Sequence, residues 1–173
     1  MKFKQDKTRT LVLSGLFIAL SFVGAHITFI YSIALDSLPA FVAALVLGPI
    51  YGAGIGFLGH LLTAITSGFP LTLPLHIVIA FTMALTMLAF GYVYRLLKNR
   101  VRETIVFALT GITGVIFNAP ISIVFSISAL WLMVDRNAAL FLLTLLPFLT
   151  LAAVLNVVLA IALYKILQRF GIV

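Results

Sequence analysis

Four long stretches without a formal charge constrain this chain more than any other feature. The longest holds 58 residues, between Asp36 and Arg95. Shorter stretches of 31, 28 and 26 residues follow Glu103, Arg136 and Arg9. A helix needs about 20 mostly apolar residues to cross the hydrocarbon core of a bilayer. The stretches therefore predict an all-α integral membrane protein with five or six crossings.

The composition excludes a soluble domain of this length. Hydrophobic residues make up 64% of the 173 residues and charged residues 9%, against about 45–50% and about 25% in soluble proteins. A soluble fold of this size exposes too much surface to hide so many apolar side chains. We therefore expect a single membrane domain over residues 1–173. The chain has no cysteine, which excludes disulfides and thiolate chemistry.

Proline and glycine divide the apolar stretches into six predicted helices. Pro39 opens the second helix, Gly48-Pro49 separates it from the third, and a loop over residues 67–74 separates the third from the fourth. The predicted helices cover residues 10–29, 39–47, 51–65, 75–97, 103–127 and 137–168. The second is too short to span unless it continues through Gly48-Pro49 or the bilayer is locally thin.

The basic residues predict the orientation of these helices, because positive charge favours the cytoplasmic side of a membrane. With six crossings and a cytoplasmic N-terminus, Arg136 alone lies outside. The ten basic residues inside are Lys2, Lys4, Lys7, Arg9, Arg95, Lys98, Arg100, Arg102, Lys165 and Arg169. A five-helix count puts some of them on the wrong side. We therefore expect six transmembrane helices with both termini cytoplasmic. The net charge of +7 indicates orientation, and we expect no nucleic-acid partner.

The chain lacks the residue patterns that intramembrane catalysis needs. Its acidic residues all stand at predicted membrane borders; they are Asp6, Asp36, Glu103 and Asp135. Its three histidines lack the spacing of metal ligands, and no glycine-rich loop ends in Lys-Ser or Lys-Thr. An ion-coupled pump usually keeps an acidic residue near the bilayer midplane. We therefore expect neither an enzyme nor an ion pump, and no cofactor or metal.

Two histidines are the first candidates for a substrate-binding site. Gly52, Gly56, His60 and Ala64 follow one another at spacing four. Small residues at this spacing let helices approach closely in lipid, so His60 is expected to point into the protein. His76 begins the next helix on the same outer side. The alternative for His60 is a buried histidine that only hydrogen-bonds to a neighbouring helix.

Further candidates are polar or aromatic residues of the outer half of the membrane. Asn118 lies past the middle of the fifth predicted helix, and Ser122 continues its face. Asp36, Tyr31 and Trp131 are expected to roof the site. Interhelical packing is the alternative for Asn118 and Ser122, because polar groups in hydrocarbon need partners. An interfacial aromatic belt is the alternative for Tyr31 and Trp131. Together these residues predict an outward-facing small-molecule site.

Two segments resemble a family of membrane transport proteins. Residues 32–41, SIALDSLPAF, and residues 48–56, GPIYGAGIG, are similar to the substrate-binding S components of energy-coupling factor (ECF) vitamin transporters. The chain length, the six-helix layout and the cytoplasmic termini also match. Residues 59–63, GHLLT, and residues 67–76, SGFPLTLPLH, are most similar to the branch that takes up α-ribazole, a cobalamin precursor.

The resemblance implies a substrate-binding subunit of an ABC-type importer in the bacterial plasma membrane. Such subunits bind a vitamin from outside, dock on a membrane T component that carries two ATPase subunits, and topple to release the substrate inside. Members usually carry an Ala-xxx-Ala pair on the first helix for docking, and Gly15 and Ala19 are the matching pair here. Small-xxx-small pairs are also common in membrane helices generally.

Other functions are compatible with the sequence. The chain is alternatively an S component for another vitamin such as pantothenate, a non-transport membrane scaffold, or a self-sufficient small permease. A scaffold does not need a polar outer cluster, and a permease needs a polar stripe through the full membrane. Tight binding of a carboxylate usually uses Arg or Lys, and Arg136 is the only predicted outer cation. A neutral substrate such as α-ribazole is therefore favoured.

Overall fold

The structure is a computed structural model that describes residues 6–27, 34–70, 72–134 and 136–173. Every regular element in this part of the chain is helical, which confirms the all-α prediction. The elements are α1 (Lys7–His26), α2 (Leu38–Val46), α3 (Pro49–Thr66), α4 (Leu73–Leu97), α5 (Glu103–Ile116), a π-helical turn (Phe117–Ile121), α6 (Ser122–Met133) and α7 (Arg136–Arg169).

Five helical stretches among the described residues are long and apolar enough to cross a membrane. Helices α1, α3 and α4 each form one, with 20, 18 and 25 residues. Helix α5, the π-helical turn and α6 run together as one stretch of 31 residues, and α7 supplies the last. Helix α2 has 9 residues. The prediction that the second helix is too short to span by itself is therefore confirmed.

Caps and prolines begin the helices close to the predicted positions. Asp6 caps α1 by accepting a hydrogen bond of 3.3 Å from the backbone N–H of Thr8. Thr72 caps α4 through a 3.3 Å hydrogen bond from the backbone N–H of Leu75. Pro49 is the first residue of α3, where its missing N–H costs no hydrogen bond. These local signals are why proline and polar residues locate the helix starts.

The predicted end of the fifth helix is wrong. The sequence predicts an end at Ile127, whereas helix α6 continues to Met133. Residues 122–134 contain no glycine, proline or charged residue that would stop it. Pro120 lies inside the π-helical turn. The wider turn tolerates its missing N–H, so the helix passes through this proline instead of ending there.

The short helix α2 lies at the centre of the bundle. Residues 39–45 are all buried, and α2 contacts α1, α3, α4 and α7. A Cβ on Gly52 of α3 would stand 2.6 Å from the Cβ of Ala44, so α3 packs directly on α2 only because this residue has no side chain. The glycine series that the sequence places on the inner face of α3 therefore has a packing role.

Aromatic side chains fill one half of the bundle. Phe41 and Phe90 pack edge to face with ring centroids 4.8 Å apart. The hydroxyls of Tyr94 and Tyr164 are hydrogen-bonded at 2.9 Å, and Phe107 packs against both rings. We call these five residues the aromatic half. The two tyrosine hydroxyls of this half therefore satisfy each other.

Basic residues gather beyond the aromatic half. Arg9, Arg95 and Lys98 border one cleft there. Lys165 forms an ion pair with Glu103 at 3.0 Å, which joins the end of α7 to the start of α5. Arg136 begins α7 at its opposite end. The fold therefore separates Arg136 from the other described basic residues, as the sequence predicts.

Candidate substrate-binding site

The other half of the bundle contains a cavity of about 200 Å³. Its wall is formed by the non-helical residues 34–37, by α3, α4, α6 and α7, and by the π-helical turn. Apolar side chains such as Met83 and Leu142 contribute part of the lining. The polar lining consists of Asp36, Ser37, His60, Asn118, Ser122, Ser126 and Asn156. We call this region the cavity half.

Gly24 of α1 holds residues 34–37 at the cavity. The backbone N–H of Leu35 donates to the carbonyl oxygen of Gly24 at 3.1 Å. A Cβ on Gly24 would stand 2.3 Å from the carbonyl oxygen of Leu35, so the two backbones approach closely only because this residue is glycine. The contact fixes Asp36 and Ser37 in the wall.

Asn156 of α7 reaches the same segment. Its Nδ2 donates two hydrogen bonds of 2.8 Å, to the carbonyl oxygens of Ala34 and Ala152. Both amide hydrogens are therefore used, and Oδ1 remains as an acceptor. This oxygen is buried and has no hydrogen-bond partner among the described residues. A buried acceptor of this kind is costly unless something pairs with it.

Asn118 lies in the π-helical turn on another side of the cavity. Its Nδ2 is 3.5 Å from Oγ of Ser37, and its Oδ1 is buried without a partner in the described part of the chain. π-helical turns inside α-helices are frequent at functional sites, because they break the regular hydrogen-bonding ladder. Asn118 is therefore a second lining residue with an unsatisfied amide oxygen.

His60 and His76 stack at the contact between α3 and α4. Their ring centroids are 5.4 Å apart, and Nε2 of His60 lies 3.2 Å from Nδ1 of His76. Nε2 of His76 lies 2.9 Å from the carbonyl oxygen of Pro70. Nδ1 of His60 is buried and has no partner within the described ranges. It is the third unsatisfied polar atom among the residues of the cavity lining.

Ser122 and Asp36 are better satisfied. The hydroxyl of Thr82 donates to the carbonyl oxygen of Ile79 at 2.8 Å, so Ser122 is the donor in its 2.9 Å hydrogen bond with Thr82. Oδ1 of Asp36 accepts from the backbone N–H of Ser37 at 2.8 Å. The described lining includes this acidic group and neither Lys nor Arg.

The cavity brings together four of the seven predicted binding residues, namely Asp36, His60, Asn118 and Ser122. His76 stacks on the His60 ring and is not among the residues that line the cavity. Trp131 is 59% exposed and packs under the guanidinium of Arg136, 5.0 Å from the ring centroid. It is therefore not brought to the cavity either. Tyr31 lies outside the described residues.

Three polar lining residues are absent from the predicted set, namely Ser37, Ser126 and Asn156. Asn156 carries a detectable signal, because an amide inside a long apolar stretch needs a polar partner. Ser37 carries no such signal in the local sequence, since its contact with Asn118 joins residues 81 positions apart. Such a contact arises only from the tertiary arrangement of α2 and the π-helical turn.

Gly15 and Ala19, the predicted docking pair, lie on the outer surface of the bundle. Both residues are exposed, and a Cβ on Gly15 would meet no atom within 4 Å. The neighbouring Leu16 and Leu20 are 53% and 43% exposed. The described part of the chain therefore leaves this face of α1 open to another helix.

A larger cleft of about 750 Å³ lies beyond the aromatic half, bordered by Arg9, Arg95 and Lys98. Size favours this cleft, whereas unpaired polar atoms favour the smaller cavity. Of the 5 buried side-chain atoms without a partner in the described residues, those of His60, Asn118 and Asn156 belong to the cavity lining and none belongs to the cleft. Small-molecule sites combine an apolar lining with a few placed polar groups, and we take the smaller cavity as the candidate because its lining has both.

The family of the chain follows from comparison with family models. Residues 9–168 match the model of the ECF transporter, substrate-specific component, family. The chain belongs to this family. This confirms the resemblance that the sequence motifs indicate. Searches among curated proteins and among solved structures gave no match to this ECF substrate-specific component.

Membership fixes the general role of the chain. ECF substrate-specific components, or S components, bind a small substrate and work with a T component and ATPases. The chain is therefore a transporter subunit from a family that is not one of enzymes. Its five candidate spans agree with a multi-pass membrane protein. The substrate of this S component has to be argued from its cavity.

Proposed function

We propose that this S component captures a small neutral vitamin precursor in the cavity, with α-ribazole as the best candidate. The proposal is carried by three residues of one cavity lining that each keep a buried, unpaired atom: Nδ1 of His60, Oδ1 of Asn118 and Oδ1 of Asn156. Each unpaired atom costs about 1–3 kcal/mol, which a hydrogen-bonded ligand restores. Asp36 and Ser122 complete the proposed contacts.

His76 has a supporting role in this proposal, because it holds His60 through their 3.2 Å hydrogen bond. The segment 34–37 has a similar role in the wall, where hydrogen bonds to Gly24 and Asn156 hold it.

The charge of the cavity supports a neutral substrate. Lys and Arg, which usually bind carboxylates and phosphates, are absent from the described lining, whereas Asp36 contributes an acidic group. An anionic ligand would lie beside this carboxyl without a balancing cation. α-Ribazole carries hydroxyl groups and ring nitrogens but no carboxylate. It therefore suits this lining better than pantothenate, which is an anion.

We further propose six crossings, with both termini in the cytoplasm of a bacterial cell. Helix α2 then returns through the membrane as a short helix that residues 34–37 complete. The described basic residues beyond the aromatic half support this orientation, because positive charge favours the cytoplasmic side. In this orientation the cavity half lies toward the outside, where the substrate is captured.

The exposed pair Gly15 and Ala19 supports docking of α1 on a T component that carries two ATPase subunits. Ala19→Trp should abolish uptake by cells that express the complete transporter, because the indole separates the two helices. Substrate binding by the isolated variant should not change. Ala108→Trp is the matched control, since Ala108 is also exposed but lies on α5. Loss of both uptake and binding in Ala19→Trp would contradict docking at this face.

Native mass spectrometry of the purified chain, without T component or ATPases, tests the proposed substrate. We expect a bound molecule with the mass of α-ribazole or of another neutral vitamin precursor, and saturable binding of radiolabelled α-ribazole. Recovery of pantothenate or another anion would overturn the neutral substrate but not the S component. A chain that binds no small molecule would indicate a scaffold, and one that transports without partners would indicate a permease.

A further inference from the structure

The two histidines form a relay of hydrogen bonds whose direction can be derived. The carbonyl oxygen of Pro70 can only accept, so Nε2 of His76, at 2.9 Å, carries a hydrogen. A neutral imidazole has one N–H, so Nδ1 of His76 is bare, which means that it carries no hydrogen. Nε2 of His60, at 3.2 Å from it, must therefore donate. Nδ1 of His60 is then bare as well, and it is an acceptor.

The relay has one N–H on each ring, which is the neutral form of an imidazole. A charged side chain is costly among membrane-spanning helices, and two protonated rings would set N–H against N–H at the 3.2 Å contact. Asp36, the acidic group of the cavity lining, accepts from the backbone of Ser37. The relay therefore ends in the cavity half as a lone pair on His60.

The other two unpaired atoms have the same polarity. Asn156 uses both amide hydrogens on backbone carbonyls, and Asn118 directs its Nδ2 toward Ser37. Each leaves a carbonyl oxygen buried without a partner in the described structure. The three unsatisfied atoms of the cavity lining are therefore all hydrogen-bond acceptors.

We propose that the cavity selects a ligand that donates hydrogen bonds at three points, and that His76 is the positioning residue that sets this polarity at His60. The ligand class is a neutral polyol or nucleoside with several free hydroxyl or N–H groups. At each of these three points, a ligand atom without a hydrogen, such as an ether or carboxylate oxygen, would place its lone pairs against the lone pairs of the acceptor. This inference rests on the proposed function only in taking the cavity as the substrate site.

Nitrogen-15 NMR of histidine-labelled full-length protein in lipid nanodiscs tests the relay without any ligand. We expect Nδ1 of His60 and Nδ1 of His76 to give the signals of bare ring nitrogens. Both Nε2 atoms should give the signals of protonated ring nitrogens. A protonated Nδ1 on His60 would overturn the inference and leave the proposed transport function untouched.

A variant pair tests the positioning role of His76. His76→Phe keeps an aromatic ring at the start of α4 but removes the acceptor that faces His60. We expect His60 to change from one tautomer to a mixture of two. His26→Phe is the matched control, because the His26 ring bonds to the carbonyl oxygen of Phe22 on α1 and should leave the His60 signals unchanged. A single unchanged tautomer in His76→Phe would overturn the positioning role.

Ligand analogues test the preference for donors. Replacing one ribose hydroxyl of α-ribazole by fluorine keeps the size of the group but removes its hydrogen. We expect affinity to fall about tenfold for each donor that faces one of the three acceptors. Equal affinity for α-ribazole and for each of its fluorinated analogues would overturn the donor preference. If α-ribazole itself does not bind, the proposed substrate fails, and the NMR result still decides the relay.

Discussion

The two halves of the bundle differ in whether their buried polar groups have hydrogen-bond partners. In the aromatic half, the hydroxyls of Tyr94 and Tyr164 are hydrogen-bonded to each other at 2.9 Å, and Phe107 packs against both rings. In the cavity half, His60, Asn118 and Asn156 each keep one buried atom without a partner in the described residues. Folding alone favours the first arrangement, because unpaired polar groups are costly in a low-dielectric interior. The ligand that we propose would complete the second arrangement.

This difference implies that stability and binding can be changed separately. Substitutions in the aromatic half should reduce the free energy of unfolding and leave the affinity of the folded protein intact. Substitutions of unpaired groups in the cavity half should reduce affinity with little loss of stability. A substitution that changes both quantities in the same proportion would remove the distinction.

The largest effect on stability is expected for Phe90→Ala. Phe90 is fully buried and packs against Phe41. The loss should be about 2–3 kcal/mol, below the ~3–5 kcal/mol usual in water-soluble cores, because lipid is as apolar as the helix interior and mainly the cavity cost remains. Thermal and denaturant unfolding in detergent measure it. Phe81→Ala is the control, since Phe81 is 62% exposed on the same helix.

The largest effect on affinity without unfolding is expected for Asn118→Leu. The leucine removes the unpaired amide oxygen of Asn118, and within the described residues it costs the fold one 3.5 Å contact, from Nδ2 to Ser37. Affinity for the substrate should fall by about 1–3 kcal/mol, or about fivefold to 150-fold. The melting temperature should stay the same or rise. Asn99→Leu, at an exposed position after α4, should change neither. A destabilised variant with unchanged affinity would contradict the account.

The smallest effect is expected for Tyr164→Phe. It removes one hydroxyl and leaves Tyr94 without its 2.9 Å partner. The free energy of unfolding should fall by about 1 kcal/mol, while substrate affinity should not change. Tyr92→Phe is the control, because Tyr92 is 44% exposed. A loss of affinity in Tyr164→Phe would show that the aromatic half takes part in binding.

Much of the fold can be predicted from local features. Asp6, Pro49 and Thr72 begin their helices through capping or proline geometry, which a single sequence displays. The end of α6 could not be predicted in this way, because no breaker precedes Met133. The π-helical turn around Pro120 was equally hidden, since a proline in an apolar stretch indicates a kink, an end or a wider turn with similar strength.

The candidate site likewise has features that the local sequence predicts and features that depend on tertiary contacts. His60, Asn118 and Ser122 can be predicted because polar residues in apolar helices stand out. The direction of the His60–His76 hydrogen bond could not, because it depends on the carbonyl of Pro70, which the loop between α3 and α4 brings to His76. Asn156 joins the cavity only because residues 34–37 return to α7. Contacts between distant segments decide these features.

The central claim is that the cavity half holds the substrate, and an experimental structure of the substrate-bound protein tests it most directly. The account predicts ligand density in the cavity within hydrogen-bonding distance of Nδ1 of His60 and the Oδ1 atoms of Asn118 and Asn156. Ligand density in the basic cleft bordered by Arg9 and Arg95, with no ligand density in the cavity, would contradict it.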